Sequence, residues 1–222
     1  MEKLINIIKE LPLKNQPLPF SVYSSIKEQS LLNVPVIKPL LIAILCGHKK
    51  LGDSSEARCS TGDFVFLSNS SAVNMRNIPK QKSYFALLIE FDFSDFDNLK
   101  INPSHQQNFC VGKITDTLEK CLQQFVEWSV YAPEVLWPLR RKEIIALMCH
   151  MGHKDILSMV NTPHIAHQIH SLFSEQLKKS EPLTVISICQ RLAISESTLR
   201  RKLKSEQTTI QDIKDQARLG LA

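Results

Sequence analysis

The sequence predicts an α+β protein, β-rich in its N-terminal part and all-helical in its C-terminal part. Three observations carry this. From about Pro19 to Phe93 the apolar segments are short and punctuated by Gly, Asn, Ser and Pro. After Ile114 they lengthen and adopt helical spacing. Near the C-terminus, two short helical patterns meet at a tight turn, and the second carries its cations on one side.

Leu40–Cys46 is a continuous apolar run and reads as a strand buried on both faces. Thr61, Gly62 and Asp63 form a turn signal that leads into a second strand, Phe64–Leu67. From Tyr84 to Phe93 the residues alternate, with Phe85, Leu87, Ile89, Phe91 and Phe93 on one face and Glu90 and Asp92 on the other. Several such strands suggest a sandwich or barrel. Between Ile114 and Val130, Leu118, Cys121, Leu122 and Phe125 recur at three and four, giving one apolar helical face. Pro138 suits a first helical position, so a second helix runs from there through Ile144, Ile145, Leu147 and Met148 and packs on the first. A third spans about His164 to Lys179, its stripe marked by Ile165, Ile169, Leu172, Phe173 and Gln176.

Composition narrows the function classes. With 222 residues, 43% hydrophobic and 22% charged, the chain is neither disordered nor a small disulfide scaffold. Leu40–Cys46 is far short of the roughly 20 apolar residues that span a bilayer, and the N-terminus lacks a secretory h-region, so a cytoplasmic protein with no membrane partner is expected. Six scattered cysteines without a C-x-x-C pair read as reduced thiols. No nucleophile elbow, metalloprotease helix, P-loop or dinucleotide fingerprint is present, and Asp95 and Asp97 read as solvated loop acids, so no enzyme is expected. His48 is the lone histidine of the strand region and reads as a surface or hydrogen-bonded residue. Cys149, His150 and His153, and His164, His167 and His170, are metal-binding residue types. Steps of three rotate each successive side chain by about 60°, which sets His164 and His170 about 120° apart on a helix. Neither a metal nor a cofactor is expected.

Net charge is +5, and from Thr162 to Ala222 nine Lys/Arg face six Asp/Glu. Four of those cations fall within Arg200–Lys204. Val185 or Ile186, Cys189 and Leu192 supply the inner face of the first helix, Ile194 plugs the turn, and Ser195 is the N-cap of the second, whose inner face is Leu199 and Leu203. Ser197, Arg200, Arg201 and Lys204 share the outer face. Hydroxyl and guanidinium groups so placed reach base edges in a major groove, while flanking lysines neutralise phosphates.

Leu192–Lys204 reads LAISESTLRRKLK and is followed by Glu206, Thr208, Thr209, Ile210 and the pair Arg218 and Leu219. This resembles the first helix-turn-helix of AraC/XylS-family transcription regulators, with Gln207 where the family usually has Gly. Pro138–Met148 (PLRRKEIIALM), Lys38–Lys49 (KPLLIAILCGHK) and Gly62-Asp63-Phe64 are similar to segments of a bacterial subgroup of these regulators. The resemblance implies a cupin-like β-barrel or sandwich for sensing or dimerisation at 1–112, a helical linker and dimerisation region at 113–161, and an all-α helix-turn-helix DNA-binding domain at 162–222. It implies base-edge contacts from Ser197, Arg200 and Arg201, with Thr198, Lys202 and Lys204 completing the DNA-binding set. The implied partners are double-stranded DNA, a small-molecule effector, a second copy of the chain as a homodimer and, for an activator, RNA polymerase. Family members carry a second helix-turn-helix beyond the "R-L" helix, so the DNA-binding domain ending at Ala222 reads as truncated. The competing expectation is a ligand-binding or protein-interaction module that lacks productive DNA binding and modulates full-length relatives.

Overall fold

The computed structural model describes residues 1–11, 17–34, 36, 38–52, 57–68, 73–80, 83–96, 99, 109–160, 165–179, 183–206 and 208–219. Two compact units form, Met1–Val160 and Asn161–Ala222.

Among the described residues the first unit opens with helix α1 (Glu2–Glu10) and continues through nine strands: β1 (Ser21–Ser25), β2 (Gln29–Val34), β3 (Leu40–Cys46), β4 (His48–Leu51), β5 (Ala57–Ser60), β6 (Asp63–Leu67), β7 (Val73–Ile78), β8 (Tyr84–Glu90) and β9 (Phe109–Lys113). It closes with helices α2 (Asp116–Ser129), α3 (Trp137–His150) and α4 (Asp155–Met159). All strand pairs are antiparallel. One sheet has the order β1-β8-β3-β6-β9, the other β2-β7-β4-β5.

The five-stranded sheet is the middle layer of three. Alternation along β3 sends Leu41, Ala43 and Leu45 to a core shared with α1 to α4, and Ile42 and Ile44 to a second core against the four-stranded sheet. Likewise Phe64 and Phe66 of β6 face the helices, while Val65 and Leu67 face the other sheet. In β8, Leu87 and Ile89 point to the helices, and Tyr84 and Ala86 point between the sheets. The single apolar face expected of this strand is therefore two, and only Glu90 at its end is exposed. The strand also stops earlier than its alternation suggests: Phe93–Phe96 coils into a 3-10 turn, held where Asp95 Oδ2 accepts the Asp92 amide at 2.9 Å.

Both crossings between sheets that flank β4 and β5 depend on glycine. Only Gly47 separates β3 from β4; its φ is +96°, and an added Cβ would lie 2.7 Å from the Ile78 carbonyl oxygen and 2.9 Å from the Tyr84 ring. The return from β5 to β6 runs through Thr61 and Gly62, with Gly62 at φ +88°. The Thr61 hydroxyl accepts from the Gly47 amide at 3.0 Å and donates to the Gly47 carbonyl at 3.2 Å, tying the two crossings together.

In the helical layer, Thr115 caps α2 by accepting the Leu118 amide, and Pro138 occupies the first turn of α3. The expected packing of these two helices is present. Asp95 requires a correction. It is fully buried and takes Nε of Arg141 in α3 on Oδ2. A guanidinium presented by α3, some 46 residues further along the chain, replaces the solvent that a loop acid would use, and Asp97 lies outside the described residues. His48 bonds Ser60 Oγ through Nδ1 at 3.1 Å. His153 stands edge-on to Phe64, ring centroids 4.9 Å apart, whereas His150 is exposed. His164 is outside the described residues, and among those described no group of three His, Cys, Asp or Glu side chains gathers to hold a metal ion. All six cysteines are free, and no described helix is long and apolar enough to cross a membrane.

Candidate nucleic-acid interface

The second unit contains helices α5 (Ile165–Lys179), α6 (Val185–Leu192), α7 (Glu196–Ser205) and α8 (Ile210–Leu219). Its core gathers Ile165, Ile169 and Phe173 of α5, Ile188 of α6, Leu199 and Leu203 of α7, and Ile213 and Ala217 of α8. In α6 the fully buried residue is Ile188, with Val185, Cys189 and Leu192 partly buried beside it; Ile186 is 69% exposed and is not part of the inner face. One residue of offset turns a helical side chain by about 100°, enough to move it from core to solvent.

Each end of the α6–α7 turn is capped. Thr184 and Ser187 exchange side-chain and backbone hydrogen bonds in a capping box at the start of α6. Ala193 closes α6 in the left-handed region (φ 52°, ψ 41°), its amide donating to the carbonyls of Cys189 and Gln190. Ile194 then packs on the core, and Ser195 begins α7 by accepting the Thr198 amide at 3.2 Å. The far end of α7 is anchored by Glu206, whose two carboxylate oxygens accept the Ile165 and Ala166 amides at 2.8 and 2.9 Å. This carboxylate satisfies orphan donors at the N-terminus of α5, a role that local sequence does not display because the partners lie some forty residues apart. Gln207 lies outside the described residues.

The turn and caps hold α7 with one face inward and one outward. Ser197, Arg200, Arg201, Lys202 and Lys204 are all exposed. At about 100° per residue, Arg201 points directly away from Leu199 and Leu203, Ser197 and Lys204 lie beside it, and Arg200 and Lys202 occupy opposite flanks. Thr198 differs from the other candidates: it is half-buried, and its hydroxyl accepts from Ser195 Oγ at 2.9 Å within the cap. Arg200 is tied to Glu196 one turn earlier, with Nε at 3.0 Å and Nη2 at 2.6 Å from Oε1. The face is thus a cationic convex ridge with one internal carboxylate, an arrangement suited to a polyanionic groove.

No protein-family model matches the sequence, and no curated protein matches it. Solved structures do. ToxT from Vibrio cholerae, in a crystal form at 1.65 Å resolution, aligns with 93% of this chain and 82% of its own at a TM-score of 0.66 and 14% identity. An apo variant of ToxT from strain SCE256 aligns over the same shares at 0.63 and 15%. Wild-type ToxT of that strain bound to an unsaturated fatty acid aligns over 91% of this chain and 78% of its own, at 0.61 and 12%. At these identities the likeness is one of architecture: two antiparallel sheets with helices match the N-terminal β-sandwich of ToxT.

Proposed function

We propose that the chain is a sequence-specific DNA-binding transcription regulator of the AraC/XylS type, its N-terminal unit sensing an effector or dimerising and its C-terminal unit reading DNA. The observation that carries this reading is the outer face of α7, where Ser197, Arg201 and Lys204 point away from a core that holds the helix by Leu199 and Leu203. Arg201 and Ser197 reach base edges, Arg200 reads from one flank once released from Glu196, and Lys202 and Lys204 neutralise phosphates. Thr198 serves mainly to fix the start of the helix. The fold shared with ToxT, a regulator of the AraC family, supports this assignment. The fatty acid bound in one ToxT structure supports a small-molecule effector here. In this mechanism an effector or a second copy biases the arrangement of the two units, to the extent that it binds one arrangement better. RNA polymerase is the further partner of an activator.

The test begins by selecting a site from a random duplex library with the full chain and measuring fluorescence anisotropy across a salt series. Binding should weaken steeply with salt. Arg201→Ala should lose about 1–3 kcal/mol at the selected site and relax its specificity, while Lys202→Ala should weaken all sequences alike and reduce the salt slope by about 1. Weak binding that is indifferent to salt would instead favour an interaction module that does not read DNA.

A further inference from the structure

A cavity of about 570 Å³ opens between α7 and the start of α8, within the second unit. Its floor is apolar, formed by Val185, Leu203 and Ile210, and its rim carries Arg200, Lys204 and Thr208. We infer that this cavity binds a small amphipathic anion, an aryl or alkyl acid, and that its occupancy excludes DNA. The exclusion rests on the proposed role of Arg200 and Lys204 in DNA contact; the anion site itself does not.

The two halves of the lining select the ligand together. A backbone phosphate of DNA would satisfy the cations but gain nothing from Val185, Leu203 and Ile210, whose apolar surface is stabilised only by apolar contact. A neutral hydrocarbon would cover that floor but remove water from Lys204, whose ammonium has no ion-pair partner among the described residues. An acid on an apolar body meets both demands, and the volume lies within the range of small-ligand pockets. Thr208 adds a hydroxyl at the rim, its amide already donating to the Leu203 carbonyl at 3.1 Å. The other hydroxyl nearby, on Thr209, is committed to Asp212 at 2.6 Å. Because Arg200 and Lys204 line both this rim and the outer face of α7, an acid held here neutralises the charge that DNA needs and places its body beside the groove-facing helix.

The probe pair is 2-naphthoate and its uncharged counterpart 2-naphthamide, titrated into the full chain with amide chemical shifts recorded. Saturable shifts centred on residues 203–211 with naphthoate, and at most weak ones with naphthamide, support the site. Naphthoate should also raise the apparent DNA Kd about tenfold when present at about nine times its own Kd, as competition requires. Gln211 is exposed, lines the cavity and bonds only Asp215 one turn on, so Gln211→Trp adds bulk at the cavity without replacing a core residue. This variant should keep DNA affinity and lose both the naphthoate shifts and the competition. Equal binding of naphthamide, shifts confined to the first unit, or an unmoved DNA Kd at naphthoate saturation would overturn the proposal. A chain that shows the naphthoate shifts but binds no DNA would keep the anion site and remove the DNA reading.

Discussion

Arg141 in α3 brings its Nε within 2.5 Å of Oδ2 of the fully buried Asp95, in the turn that follows β8. The same guanidinium reaches Asp92 through Nη2, and the other oxygen of Asp92 takes Lys38 Nζ at 2.9 Å. One arginine therefore locks a helix of the helical layer onto the end of a central strand. Arg141→Met should destabilise the first unit by about 3–5 kcal/mol, because it leaves a buried carboxylate without its partner. Arg141→Met combined with Asp95→Leu should cost less than the sum of the singles in a double-mutant cycle followed by urea unfolding. Single losses below about 1 kcal/mol would show that the pair does not clamp the layers.

Between the sheets, Lys49 is 3% exposed, donates to Asn77 Oδ1 at 2.7 Å and lies over the Tyr84 ring. Burial pushes its ammonium down from the ordinary 10.5 to about 8. A lysine with a depressed folded pKa binds fewer protons folded than unfolded between those values, so its contribution to stability rises with pH from about 8 to 10.5. Its neighbour Cys59 opposes this: burial raises the thiol from 9.0 to about 11, and the stability that this contributes is lost as pH rises from 9.0 to 11. Wild-type stability should therefore gain from Lys49 mainly between pH 8 and 9. Relative to wild type, Lys49→Met should lose stability as pH rises above 8, because only the wild type gains from the lysine there. Thermal unfolding of both proteins from pH 6 to 10 tests this, and a constant difference across the series would refute it.

At Gly112 in β9, an added Cβ would stand 2.5 Å from Phe64 Cζ and 2.6 Å from His153 Cε1. Both obstacles are ring atoms, Phe64 fully buried in the core and His153 half-buried against it, so they yield only by moving a ring. Gly112→Ala should lower stability by about 1–3 kcal/mol, and adding Phe64→Leu should recover part of that loss relative to additivity. Thermal unfolding of the four proteins of the cycle gives the answer, and a neutral Gly112→Ala would mean that β9 shifts freely.

Glu196 and Arg200 are both exposed, so their ion pair contributes only about 0.3–0.5 kcal/mol to α7. Against DNA the same carboxylate repels phosphates and occupies the guanidinium. Glu196→Gln should leave the fold intact, tighten DNA binding severalfold and steepen its salt dependence, all measurable by anisotropy. Identical affinity and salt slope in the two proteins would place Arg200 away from the DNA.

Legibility in the sequence followed the strength of local signals. β3 was expected at Leu40–Cys46 and forms there, because an unbroken apolar run bounded by Pro39 and Gly47 offers no alternative limits. Thr115, Pro138 and Ser195 marked helix starts through capping and ring constraints that act over three or four residues. The short strands β4 and β7 are hard to read because the polar Lys49 and Asn77 stand at their buried positions, and β5 is only four residues long. Helix α1 has only Leu4 and Ile8 buried, too sparse a stripe to stand out. The roles of Asp95 and Glu206 are not legible in the sequence for one reason: their partners, Arg141 and the start of α5, are brought to them by tertiary folding alone. On α7 the outer face is legible from spacing, and Glu196 and Arg200 stand at the i,i+4 spacing of a helical ion pair, whereas the cavity beside Lys204 depends on how α6, α7 and the start of α8 come together.

The middle sheet, apolar toward both neighbours, raises a question of alignment. In a sheet wet on one side, sliding a strand by one residue expels its apolar set into water, and hydrophobicity alone forbids it. Sliding β3 by one would merely exchange Leu41, Ala43 and Leu45 with Ile42 and Ile44, leaving greasy side chains on both sides. Steric landmarks must supply the missing discrimination. Where the Ile78 carbonyl and Tyr84 ring leave no room for a Cβ only a glycine fits, which marks the place of Gly47, and the crowding by Phe64 and His153 does the same for Gly112. These two glycines act as the detents of the sheet, and their replacement should multiply the alignments that the strands sample during folding.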